Sequence, residues 1–103
     1  MVKVTDINKN KLRVNNNASK IESLARDIFR NTHIYCDTKD NTIFIENDEV
    51  ATPVIAEIDI NNHSMTLCWE CYFGDAMTFA EKYERQFLAD SNKKEFEIIT
   101  DYR

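Results

Sequence analysis

Pro53-Val54-Ile55-Ala56-Glu57-Ile58-Asp59-Ile60-Asn61-Asn62-His63-Ser64-Met65-Thr66-Leu67-Cys68-Trp69-Glu70-Cys71-Tyr72-Phe73 decides the fold class. Both halves alternate apolar with polar and are rich in β-branched and aromatic residues. The Asn61-Asn62 pair between them tolerates the positive φ of a type I′ turn. The stretch therefore reads as two antiparallel strands, Pro53 to Ile60 and Ser64 to Phe73. Pro53 has no amide proton for a ladder, so it opens its strand or lies at an edge. Successive strand side chains point to opposite faces, and parity sorts them. Val54, Ala56, Ile58 and Ile60 join Met65, Leu67, Trp69, Cys71 and Phe73 as the expected core. Ile55, Glu57 and Asp59 face outward with Ser64, Thr66, Cys68, Glu70 and Tyr72, and Glu46 joins the same acidic surface.

Upstream, His33 to Cys36 and Thr42 to Glu46 read as two more strands, closed into a hairpin by Thr38-Lys39-Asp40-Asn41. Before them Ile21, Leu24, Ala25, Ile28 and Phe29 recur at the spacing of one buried helix face, giving a helix over about 19–31. Ser19 and Glu22 have the spacing of a capping box. Downstream, Phe79, Ala80, Tyr83 and Phe87 form the apolar stripe of a second helix over about 75–89, with Asp75 as its N-cap. Glu95 to Tyr102 alternates as a last strand. Residues 1–17 hold two short alternating pieces, Val2-Lys3-Val4 and Leu12-Arg13-Val14, and read as a hairpin or arm. The whole, residues 1–103, is expected to be a single compact α+β domain. An antiparallel sheet of about four to five strands carries the two amphipathic helices.

The composition bounds the function. A chain of 103 residues, 43% of them hydrophobic, suits one domain with its own core and needs no structural metal or disulfide to fold. Three cysteines cannot all pair, and neither an apolar signal region nor a membrane-length apolar run is present, so the reading is cytoplasmic with no membrane partner. A net charge of −5, with bases scattered among acids, argues against direct nucleic-acid binding. It suits instead an acidic module that occupies the basic surface of a protein partner. The Asn-, Lys-, Ile- and Asp-rich usage fits an AT-rich genome. Small acidic inhibitors that occlude a host macromolecule are common products of bacteriophages and mobile elements, which would place this protein in the host cytoplasm.

Several residue groups bear on chemistry. Glu46, Ile55, Glu57, Asp59, Glu70 and Tyr72 are the expected interaction surface. Glu57, Asp59 and Glu70 are also the residue types of a cation-dependent hydrolase or nuclease, although no base or substrate-positioning lysine accompanies them. His33, Cys36, Cys68 and Cys71 have the types of a zinc or thiol module. In regular strands, however, each pair sits three positions apart and would point to opposite faces, and a redox Cys-x-x-Cys belongs at a helix N-terminus. His63, beside the Asn61-Asn62 turn, reads as an exposed turn residue. The only glycine is Gly74, which rules out a glycine-rich phosphate loop. The expectation is a protein with no catalytic residues and no cofactor, able to form a homodimer through its strand edges.

Overall fold

The computed structural model of the chain describes residues 18–47, 49, 53–68, 70–89 and 95–100. The expected N-terminal hairpin and Trp69 lie outside these residues. Helix α1 covers residues 18–28. It is followed by β1 (His33–Asp37), β2 (Thr42–Glu46), β3 (Val54–Asp59), β4 (Ser64–Leu67), α2 (Phe73–Phe87) and β5 (Glu97–Thr100). The five strands form one sheet in chain order, antiparallel from β1 to β4. The fold is α+β, as the alternation implies. β5 runs parallel to β4, because α2 carries the chain back along the sheet before the last strand begins.

Both helices bury their apolar stripes on one face of the sheet. Ile21, Leu24, Ala25 and Phe29 from the first helical region join Ala76, Phe79, Ala80 and Tyr83 of α2. They meet two inner rows that the register lines up across the strands. One row is Ile34, Ile45, Ala56 and Leu67, and the other is Cys36, Ile43, Ile58, Met65 and Ile98. Phe79 lies within 5.6–6.3 Å, ring centre to ring centre, of Phe29, Tyr83 and Phe96, so one ring ties both helical regions to the approach to β5.

Local details depart from the sequence reading in four places. Residue 18 is already helical, which puts Ser19 inside the first turn rather than at the N-cap. The strand expected to run to Phe73 stops at Leu67. The Cys71 amide donates to the Cys68 carbonyl at 3.0 Å, turning the chain into α2, and Phe73 begins that helix half exposed instead of entering the core. Asp75 consequently sits in the first turn of α2, where its charge faces the positive end of the helix dipole, and the N-cap is Tyr72. Finally, β2 and β3 slip by one residue: Ile45 faces Ala56 while Glu46 faces Val54, leaving Ile55 as a bulge.

The β3–β4 connection also differs from the sequence reading, and the difference has a structural role. It spans residues 60–63, and the positive φ falls on His63 (52°), not on the asparagines. A left-handed backbone at a non-glycine residue is disfavoured, and here the surroundings hold it. His63 Nδ1 lies 2.8 Å from the buried Tyr83 hydroxyl, and the His63 carbonyl accepts from the Glu97 amide at 3.0 Å. His63 is half-buried and is the hydrogen-bond partner that a fully buried phenol requires. Replacing it with alanine strands the Tyr83 hydroxyl, and a loss of about 1–3 kcal/mol is expected in urea unfolding. A cost within error of zero would show that the pair carries no stability.

Candidate interaction surface

With the helices on one side, the other face of the sheet is left open among the described residues, and its residues follow from register. One row across it is Asp37, Thr42, Asp59, Ser64 and Glu97. The next is Tyr35, Phe44, Glu57, Thr66 and Ile99. Glu46 belongs to the same face, since the Tyr35 hydroxyl donates to its Oε1 at 3.3 Å. All the acids in the five strands, namely Asp37, Glu46, Glu57, Asp59 and Glu97, therefore lie on this face, and none of the strands contains a lysine or arginine. Among the described residues none of these five carboxylates forms an ion pair; the pair present there is Arg26–Glu22 on α1.

The open face has relief. Ser64 and Thr66 are short and form the floor of a trough over β4. Glu57 and Asp59 of β3 wall it on one side and Glu97 and Ile99 of β5 on the other, enclosing about 440 Å³. Asn62 closes one end, its side-chain amide donating to Asp59 Oδ2 at 2.7 Å. Ser64 faces this trough, as its parity requires, but its neighbours bury it. Toward β1 the face turns aromatic: Tyr35 and Phe44 stack with centroids 5.0 Å apart and planes 23° apart. The Tyr35 phenol is held above its ordinary pKa by desolvation first and then by the charges of Glu46 and Glu57.

The six residues expected to form one surface are divided by the fold. Glu46, Glu57 and Asp59 are on the open face. Ile55 is buried: the bulge turns it inward, 5% accessible, beside Ile28 and Phe29. Glu70 and Tyr72 sit past the end of β4, around a separate cavity of about 290 Å³ that they line with Ile28, Thr32, Asn47 and Asp75. Tyr72 is 72% exposed there, and Glu70 Oε2 is buried with no hydrogen-bond donor among the described residues. Because Glu70 is remote from Glu57 and Asp59, the carboxylate trio of a hydrolase centre does not assemble. The residues that sequence parity left unused are Tyr35, Phe44, Glu97 and Ile99. Parity does reach Phe44, which is two positions before Glu46 on the same strand and so shares its face.

The cysteine–histidine set does not converge either. His33 and Cys36 belong to β1, and Cys68 and Cys71 follow β4, with two strands between, a separation of roughly 14 Å at normal strand spacing. Among the described residues no three histidines, cysteines or carboxylates come together as ligands for one ion. Burial pushes the Cys71 thiol up to about 11, helped by the Asp75 charge and by Cys68. Burial likewise raises Cys36, with Glu22 and Asp37 adding to it. Both surroundings favour the protonated thiol, the form that neither ligates metal nor attacks electrophiles. Cys68 donates from its thiol to the Val54 carbonyl at 3.4 Å, and its amide bonds the Ile55 carbonyl at 2.8 Å, so it helps fasten the bulged end of β3.

Among the described residues no helix is long and apolar enough to cross a membrane. Comparison of the chain with protein-family models, with curated proteins and with solved structures finds no match.

Proposed function

We propose that the protein is a small non-enzymatic binding module that docks the basic surface of a protein partner through its open sheet face. The observation that carries this reading is the charge asymmetry of the sheet: the strands hold five acids, no lysine or arginine and a single histidine, His33, and all five acids lie on the face the helices leave uncovered. Five carboxylates gathered on one face, with no lysine or arginine in the strands to offset them, repel one another and destabilise the free protein slightly. A basic partner would relieve that repulsion, and a charged face of this kind speeds encounter and sets orientation. Such a module acts by occlusion, covering the area with which its partner grips something else, as an inhibitor encoded by a phage or mobile element would.

The test is affinity capture from lysates with the wild-type protein and with a Glu57→Lys, Asp59→Lys double variant as control. The expected result is a stoichiometric partner with a basic contact surface, identified by mass spectrometry. It should be released by salt at about 0.5 M, where screening is short-ranged, and be missing from the double variant. A partner retained equally by both proteins would move the interface off the sheet. No partner in several lysates, with a metal or small molecule bound stoichiometrically instead, would end the proposal.

A further inference from the structure

We infer that the β1–β2 side of the open face is an arginine anchor, in which a guanidinium of the partner lies on Phe44 between the carboxylates of Glu46 and Glu57. The inference rests on the docking reading above and names the side chain that the face selects. Cross-strand register puts Tyr35, Phe44 and Glu57 side by side on three consecutive strands, and Glu46 is the next outward residue along β2 after Phe44. The two rings are already stacked, so their geometry is organised before any partner arrives. The Tyr35 hydroxyl also holds Glu46 Oε1, which limits how far that carboxylate can swing away from the rings.

The occupant follows from what the two halves of the face offer. Over β4 the trough presents carboxylates and hydroxyls, which attract any cation. Around Phe44 the carboxylates are joined by ring faces, and these discriminate. A guanidinium is planar and weakly hydrated, stacks on an aromatic ring, and presents a fork of donors to carboxylates. An ammonium is a compact, strongly hydrated point charge that would gain the electrostatic attraction but little from the rings. Among the described residues no set of three carboxylates is close enough to share one metal ion, so the face suits charges carried on a chain better than a single small cation.

Fluorescent octa-arginine and octa-lysine peptides, compared by anisotropy at low salt, test the assignment. The wild-type protein is expected to bind octa-arginine about fivefold more tightly than octa-lysine. Phe44→Leu, which keeps apolar volume and removes the ring, should bring the two within about twofold by weakening only the arginine peptide. Asp59→Asn with Glu97→Gln should weaken both peptides together. Far-ultraviolet circular dichroism and thermal melting confirm that each variant is folded, and Tyr35→Leu provides a second ring deletion should Phe44→Leu fail to fold. Equal affinity of the wild type for both peptides, or an arginine preference that survives loss of the rings, overturns the anchor and leaves the docking face standing. Binding of neither peptide overturns the docking face and the anchor with it.

Discussion

Phe79→Ala is expected to lower stability by about 3–5 kcal/mol, the range for deleting a fully buried aromatic side chain. Phe79 has no solvent exposure, and its ring meets Phe29 beyond α1, Tyr83 within α2 and Phe96 ahead of β5. Three segments far apart in the chain would face the resulting void at once, and no single one of them can close it. Native domains have about 5–15 kcal/mol in total, so a loss of this size removes a large share of the stability and should shift the urea midpoint far downward. Urea unfolding followed by circular dichroism gives the value. Phe79→Leu serves as the control and should cost markedly less, since it retains much of the apolar volume. A loss below about 1 kcal/mol for the alanine variant would mean that the two helices do not share this core.

Alkaline pH is expected to unfold the protein, beginning above about pH 9. Burial raises the Cys71 thiol from 9.0 to about 11, and raises the Tyr83 phenol above its ordinary 10.0, with the Asp59 charge adding to it. In each case the fold favours the protonated group. Between the ordinary and the raised values the unfolded chain binds fewer protons than the folded one, so stability falls as pH rises. The contribution of Cys71 is fully present below pH 9 and is lost as pH passes 11. Tyr83 adds its own loss from pH 10 upward. Denaturation midpoints across this range should decline steeply, and tyrosinate absorbance should show Tyr83 ionising together with unfolding. Cys71→Ala should delay the first part of the decline. Constant stability from pH 8 to 11 would contradict the burial of both groups.

Periodicity carried most of the fold because it is a property of single elements. The helical spacing of Ile21, Leu24 and Ala25, and the alternation through Ala56, Glu57, Ile58 and Asp59, each follow from one element covering one side of a core. What parity could not reveal depended on neighbours. The inward turn of Ile55 comes from a one-residue slip between β2 and β3, a compromise between two strands that neither encodes alone. The alternation from Met65 to Phe73 continues past the real strand end. The turn at Cys68 to Cys71 is fixed by the descent into α2 and has no glycine or proline to announce it. For the same reason parity puts the acids of β3 on the open face, where they lie, but carries Glu70 and Tyr72 onto a surface that the chain has already left. Glu97 stayed out of the expected surface because the position of β5 beside β4 is set by the crossover helix, and a single strand's pattern does not reveal which neighbour it will take.

That crossover has a consequence in time. The outer wall of the trough, Glu97 and Ile99, comes from the last strand of the sheet, and the floor, Ser64 and Thr66, from a strand made more than thirty positions earlier. During synthesis the first four strands can pair as they emerge, but the negative groove is incomplete until residue 99 has been released and docked. A nascent or prematurely terminated chain would present only half of the trough.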